Sequence, residues 1–416
     1  MGNSILVVKF GGSCLSTSDN ILFAARKIST EVSRGKKVVV VVSALSGVTD
    51  DLLSLAKKST MNNVTQEDLD EILSMGERTA VRLMSSALRS LGFEARGIDP
   101  LSNLWPILTD SNFGNAEVNL EETVRATKER ILPLISNGYI PVFAGFIGLS
   151  PKGKITTLGR GGSDITAMVL GNVLDSEEVV FVKDVGGVLS ADPKRVSSPQ
   201  KIDFLEAEEA YTLASAGAKV IQPKALMYKK NSTILRVVGF DDRDLSGGTV
   251  ITGELKSGLN IELYNSSLSM ITLIVQEASS PEVILKILAE ASASNTRVLG
   301  VTVSPPSILL YVQNPSDLVQ RLHEMIKSQS IAKAIHSFDS LAMITVSGHG
   351  LERSPGIIDI IVEPLAKEHI NLYGVLTISS SIKIFVPWRD RERVLPLIDN
   401  NLNSIKNSGG NQNGRR

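Results

Sequence analysis

The chain has 416 residues, 43% hydrophobic and 21% charged, as befits a globular protein of two or three domains with substantial buried surface. Its 43 basic and 44 acidic residues leave a net charge of −1, so no global field recruits nucleic acid or an anionic membrane. The single cysteine, Cys14, allows no intramolecular disulfide and points to a reducing cytoplasm, and no apolar run reaches the ~20 residues needed to span a bilayer.

The first apolar run, Ile5–Val8, is too short for a secretory leader and is interrupted by Lys9. It reads as a buried strand that delivers Lys9-Phe10-Gly11-Gly12-Ser13 to its carboxyl end. Glycines there let backbone N–H groups approach a ligand, and amides beside an ammonium suit a polyanion. The run matches neither G-x-x-x-x-G-K-[ST] nor G-x-G-x-x-G, and a tight strand-to-helix turn with a solvated lysine is the plainer alternative. Lys37–Val42 is a β-branched run typical of a buried parallel strand. From Glu67 to Leu91, apolar residues recur on one helical face, closed by Gly92. Within that helix Ser74-Met75-Gly76-Glu77-Arg78 places a glycine that costs about 1 kcal/mol against alanine, which suggests a close approach.

Tyr139–Phe143 reads as another buried strand, followed by Gly145-Phe146-Ile147-Gly148. In Thr156-Thr157-Leu158-Gly159-Arg160-Gly161-Gly162-Ser163-Asp164 an arginine among glycines can offer a bidentate fork to a carboxylate or phosphate. Ser163 or Asp164 is expected to cap the helix that follows at Ile165–Leu170. Glu178–Val182 is the next strand, and Lys183-Asp184-Val185-Gly186-Gly187 through Leu189-Ser190-Ala191-Asp192-Pro193-Lys194 forms a third charged loop at a strand end. Ala216-Gly217-Ala218-Lys219 and Gln222-Pro223-Lys224 add two lysines, either of which could simply be solvated. Strands alternating with helices up to about Gly253 imply a mainly parallel sheet covered on both faces, with ligands beyond the strand carboxyl ends. The four histidines show no metal-ligand spacing, and no zinc site is expected.

Beyond Gly253 two segments, about Ser269–Ser328 and Ser340–Leu402, each read strand–helix–strand–strand–helix–strand. Their helices are expected near Pro281–Ala293, Asp317–Ile326, Gly356–Glu368 and Arg389–Asn400. The domains expected are therefore 1–253, a linker at 254–264, repeats at 265–335 and 336–402, and a disordered Asn/Gly/Ser-rich tail at 403–416.

These motifs, in order and spacing, resemble aspartokinase: Val8–Ser13, Val41–Ala44 with Gly47 and Thr49-Asp50, Ser74–Arg78, Gly145–Gly148, Thr157–Asp164, Asp184–Pro193 and Gly217–Lys219. The C-terminal repeats resemble the paired ACT domains that follow the kinase domain in that family. The resemblance implies an α/β amino-acid-kinase three-layer fold with a mainly parallel sheet, followed by two ferredoxin-like ACT domains. It implies transfer from Mg-ATP to L-aspartate, giving aspartyl 4-phosphate, the first step toward lysine, threonine and methionine. By that likeness Lys9 contacts the transferring group, with the Phe10, Gly11 and Gly12 backbone alongside, and Asp164 helps hold the substrate. Glu77 takes the substrate ammonium and Arg160 its α-carboxylate, while Thr49, Gly161, Gly162 and Ser163 line the pocket. Lys183, Asp184, Leu189, Ser190, Ala191, Asp192, Pro193, Lys194 and Lys219 surround ATP, and Mg2+ is held mainly by ATP oxygens and water, without a protein cage.

The chain departs from the family at Cys14 (usually serine), Lys183 (usually threonine) and Gln222 (usually histidine). The second repeat keeps Gly348-His349-Gly350-Leu351, Pro355-Gly356 and Ile370-Asn371-Leu372, whereas the first has Pro281-Glu282 and Asn295-Thr296-Arg297. Ser379-Ser380-Ser381 stands where the lysine-sensitive branch has Thr-Ser-Glu. A homodimer or higher assembly through these repeats is expected, with effector control of a non-lysine kind. The competing readings are a kinase of the same fold for glutamate, N-acetylglutamate, carbamate or a nucleoside monophosphate, and an amino-acid sensor with an inactive kinase domain.

Overall fold

The computed structural model describes residues 4–218, 221–256, 258–329, 331–351, 356–378 and 380–408, so Lys219, Pro355, Ser379 and the end of the expected tail lie outside the described residues. The chain divides into two compact units, 1–255 and 256–416.

The first unit opens with β1 (Ile5–Phe10), α1 (Ser18–Ser33), β2 (Lys37–Val42), α2 (Val48–Ser59), α3 (Gln66–Ser90) and β3 (Ala95–Ile98). It continues through α4 (Leu120–Arg130), α5 (Leu132–Ser136), β4 (Ile140–Ala144), β5 (Ile147–Leu149), β6 (Ile155–Thr157) and α6 (Gly162–Val173). The remaining elements are β7 (Glu178–Lys183), β8 (Val188–Leu189), β9 (Lys201–Ile202), β10 (Phe204–Glu206), α7 (Ala207–Ser215), α8 (Pro223–Leu226), β11 (Ile234–Gly239) and β12 (Thr249–Thr252). Eight strands form one sheet in the order β10-β12-β11-β7-β1-β2-β4-β3, parallel except where β12 runs against β11. Five consecutive valines make β2 β-branched on both faces, and helices covering both faces of the sheet bury Val38–Val42 completely or nearly so. The register aligns Phe10 with Val42 and Val182, Val42 with Ala144, and Val182 with Val238. Five strands therefore end in one row, and the loops that leave that row, together with α3 and the segment joining β6 to α6, build the site.

Helix α3 begins where the Thr65 hydroxyl accepts from the Asp68 N–H, and it ends before Gly92 at φ +86°. Its buried face carries Leu69, Leu73, Gly76, Ala80, Val81, Met84 and Leu88. A Cβ on Gly76 would lie 2.8 Å from the Ala44 Cβ, and one on Gly12 would lie 2.7 Å from the Ala44 carbonyl oxygen. Both glycines are explained by the loop after β2, which is clasped between the β1 turn and α3.

The second unit comprises β13 (Asn260–Leu263), β14 (Leu268–Val275), α9 (Pro281–Ala293), β15 (Arg297–Ser304), β16 (Ser307–Gln313) and α10 (Ser316–Gln329). Then come β17 (Ala332–Ser347), α11 (Ile357–Lys367), β18 (Gly374–Ile378), β19 (Ser381–Pro387) and α12 (Arg391–Ser408). One sheet runs β15-β16-β14-β17-β19-β18, with β13 added against β17. The 16-residue β17 serves both repeats: its first half pairs with β14, its second with β19 and β13. Each repeat thus has a four-stranded ferredoxin-like order, β15-β16-β14-β17 and β18-β19-β17-β13. Ile271, Leu273, Ile287, Leu310 and Leu322 fill one core, and Ile344, Val346, Ile361, Ile384 and Ile398 the other.

Four expectations are corrected here. Residues 254–264 are not merely a linker, because Asn260–Leu263 supplies the strand that completes the second repeat, and the 335/336 boundary falls inside one continuous strand. The second repeat consequently has no closing strand of its own after α12. That helix extends through Ser408, into the segment expected as a disordered tail.

Candidate active site

Lys9 is the penultimate residue of β1, and it is buried. Its Nζ lies 2.7 Å from Asp164 Oδ1, while Lys183 Nζ, from the end of the adjacent β7, lies 2.9 Å from Asp164 Oδ2. One carboxylate therefore joins two ammoniums delivered by neighbouring strands. Burial alone would raise the Asp164 pKa, but the charges of Lys183 and Lys9 outweigh it and lower it to about 2. Burial pushes the Lys9 pKa below its ordinary value, Asp164 opposes that fall, and Lys183 adds to it. The trio carries a net charge of about +1, available to a polyanion.

Asp164 does not cap its helix, nor does Ser163. Helix α6 is entered through Gly161 at φ +72°, and no side chain caps it. Asp164 points inward to the lysines instead, and the Ser163 side chain packs against Gly145, where a built Cβ would lie 2.6 Å away. The phosphate-cradle expectation also needs correction at Gly11. Its N–H donates to the Val182 carbonyl (3.2 Å), prolonging the β1–β7 ladder, and the Cys14 N–H in the turn beyond donates to the Gly11 carbonyl (3.0 Å), so neither amide is offered to a ligand.

Glu77 is the second buried charge. It sits on the inner face of α3, and its Oε1 accepts from the Ala44 N–H at 3.2 Å. Its Oε2 is buried with no hydrogen-bond partner among the described residues. Burial raises its pKa to about 7, against the opposing pull of the Ala44 N–H. A carboxylate oxygen held this way lacks one donor, preferably a cation. Ala44 links this corner to the first, since the same residue faces Gly12.

Arg160 lies four residues before Asp164 in the β6–α6 loop; it is exposed and has no ion-pair partner among the described residues. Gly161 abuts Gln222, whose Cβ would be 2.7 Å from a built Cβ, and Gly162 abuts Phe146 in the same way. Thr49 is half-buried in the first turn of α2, and no hydrogen bond joins it or Arg160 to the lysine cluster. Phe10 is wholly buried and shapes the core behind the turn. In the third loop Asp184, Ser190, Asp192, Pro193 and Lys194 are exposed, while Leu189 and Ala191 are half-buried. The Asp192 carboxylate accepts from the Lys194 N–H at 2.9 Å, and the Ser190 N–H donates to the Gln200 carbonyl at 2.8 Å, so the loop is an ordered turn. Sequence reasoning missed Asp70, which is fully buried on α3. A signal was present: it falls seven residues before Glu77, and an acid on the apolar face of an amphipathic helix needs a partner.

A model of the amino acid kinase family matches residues 4–239. The aspartokinase of Bacillus sp. (strain MGA3) is 31% identical over 91% of this chain and 92% of that protein. Aspartate kinase Ask_LysC of Stutzerimonas stutzeri (strain A1501) is 32% identical over 92% of this chain and 93% of its own length. Among solved structures, aspartate kinase from Synechocystis superposes with a TM-score of 0.78 at 24% identity, covering 95% of this chain and 69% of that one. E. coli aspartokinase III in complex with aspartate and ADP superposes with a TM-score of 0.55 at 24% identity, covering 96% and 99%.

Proposed function

This chain belongs to the amino acid kinase family and, within it, to the aspartokinases; from that premise we propose that it transfers the γ-phosphoryl group of ATP to the β-carboxylate of L-aspartate, giving 4-phospho-L-aspartate. The observation that carries the reading to an amino-acid substrate is the buried Glu77 with its unpartnered Oε2. A substrate ammonium supplies the missing cation and draws the carboxylate back to its ionised form. Arg160, unpaired and flanked by glycines, takes the α-carboxylate as a bidentate fork. Gly161, Gly162, Ser163 and Thr49 line the pocket between these two ends.

Transfer joins a carboxylate oxygen to the γ-phosphorus and breaks its bond to the β,γ-bridging oxygen, releasing ADP. The acceptor is already an anion at neutral pH, so no base is required and the protein's task is positioning and charge neutralisation. Lys9 and Lys183 sit at the strand ends where those anions meet, and Asp164 holds both ammoniums in register. Asp184, Leu189 to Lys194 and Lys219 border the nucleotide. Asp164 is already engaged by two lysines, which suits a Mg2+ ion carried on phosphate oxygens and water, where it neutralises developing charge.

The two ferredoxin-like repeats serve assembly into a homodimer or higher oligomer and response to a small-molecule amino-acid effector. The reaction belongs to the cytoplasm, at the head of lysine, threonine and methionine synthesis. Purified protein given Mg-ATP, hydroxylamine and aspartate should form the hydroxamate, and glutamate in place of aspartate should give background. Equal rates with both acids would refute the substrate assignment.

A further inference from the structure

Asp70 is 0% exposed and accepts four hydrogen bonds, which fills the lone-pair sites of a carboxylate. Its Oδ2 receives the Gly114 N–H and the Thr157 N–H, each at 2.8 Å. Its Oδ1 receives the Thr157 hydroxyl at 2.9 Å and the Gln66 side-chain amide at 3.2 Å. The Thr157 carbonyl in turn accepts from the Ala116 N–H at 2.9 Å. One side chain on α3 thereby ties down the end of β6 and the loop before α4.

Those ties sit at the root of the substrate pocket. Thr157 precedes Arg160 by three residues, a tether of at most about 10 Å. Asp70 precedes Glu77 by seven residues on one helix, about 10 Å along the axis and only about 20° around it. Rod and tether start from the same carboxylate. The two groups that read the ends of the amino acid, one rigidly mounted and one on a glycine-rich loop, are thus referenced to a single point.

We propose that Asp70 is a positioning residue of the amino-acid site: it fixes the origin of the Arg160 loop relative to Glu77 and so sets the span between them. This rests on the reading of Glu77 and Arg160 given above. A span set this way selects for the length of the amino acid and leaves the nucleotide side, built on β1 and β7, unaffected.

The test is steady-state kinetics with each substrate varied in turn. Asp70→Asn keeps the shape but turns an amide NH2 toward N–H and O–H donors. It should raise KM for aspartate about 10- to 100-fold while KM for ATP stays within about threefold. Thr157→Val removes only the hydroxyl donor and should raise KM for aspartate severalfold, with Thr157→Ser restoring it. If Asp70→Asn fails to fold, the Thr157 pair decides. Equal losses on both substrates, an unchanged KM for aspartate in folded Asp70→Asn, or a Thr157→Val enzyme indistinguishable from wild type would overturn the proposal. Arg160→Ala in parallel separates the two layers: normal aspartate kinetics there overturns the pocket assignment itself, whereas a defect there with none in the Asp70 and Thr157 variants overturns the positioning role alone.

Discussion

Replacing Glu77 with glutamine should make the protein more stable and less active at once. The glutamine carbonyl can still accept from the Ala44 N–H, the bond Glu77 Oε1 now makes at 3.2 Å, so the local geometry is kept. What disappears is a buried charge. Burial lifts the Glu77 pKa from its ordinary 4.5 to about 7. At about 1.4 kcal/mol per pH unit, ionising it in the ligand-free fold costs roughly 3 kcal/mol. The sign follows from the raised value. Below pH ~4.5 the group is protonated folded or unfolded and costs nothing; as pH climbs toward ~7 the unfolded chain loses its proton first and native stability falls. Above ~7 the penalty is complete. Glu77→Gln should therefore match wild type near pH 4.5 and exceed it by about 3 kcal/mol at pH 8, several degrees in melting temperature. Aspartate turnover should fall at least a hundredfold, because the neutral amide offers the substrate ammonium no charge. In the wild type, KM for aspartate should rise as pH drops from 8 to 6, and the glutamine variant should lose that slope. Melting scans across pH and hydroxamate assays on both proteins check the pair. A variant less stable at pH 8, or one with ordinary aspartate kinetics, would refute the reasoning.

Arg160→Ala should raise KM for aspartate while leaving that for ATP nearly unchanged; losing a charge-assisted bidentate contact corresponds to about 2–4 kcal/mol, or 30- to 1000-fold in kcat/KM. Lys9→Ala should lower kcat more than it weakens aspartate binding, and Lys9→Arg should rescue poorly because a planar fork cannot replace the compact ammonium seated 2.7 Å from Asp164; single-turnover kinetics showing intact chemistry would contradict this. Titrating lysine and threonine against activity tests the effector reading, in which the serine at position 381 replaces a usual carboxylate; strong inhibition by lysine alone would overturn it.

What was legible in the sequence was what local chemistry decides. The valines of Lys37–Val42 could only be a strand buried on both faces, and the helix over Pro281–Ala293 follows from its proline start and its apolar spacing. The glycine at position 76 was legible as a close approach, and Ala44 is the group it meets. Pairings across the chain were not. Asn260–Leu263 is four residues with a half-buried alternation, and its place in the sheet depends on a strand more than eighty residues away. Gly11 reads as a ligand-facing amide until β7 is laid beside β1 and claims its N–H.

Asp164 shows why the site is harder to read than the fold. Locally, an acidic residue in the first turn of an apolar helix is a cap, and that is how its neighbours present it. But β1 carries Lys9 as its penultimate residue and β7 ends in Lys183, the two strands are adjacent and parallel, and the register, with Lys9 opposite Phe181, leaves both lysines at the same edge of the sheet. Two ammoniums brought together at the rim of a buried sheet repel each other and lose hydration, so the fold needs one anion between them. The nearest helix start supplies it, and the capping position passes to Gly161. Asp164 is an anion because of where the strands put the lysines, and its charge in turn opposes the fall that burial imposes on the Lys9 pKa. The two lysines must nevertheless retain charge to give, since one carboxylate cannot neutralise both. In the function proposed, that residual charge serves a phosphoryl group in transit between two oxygens.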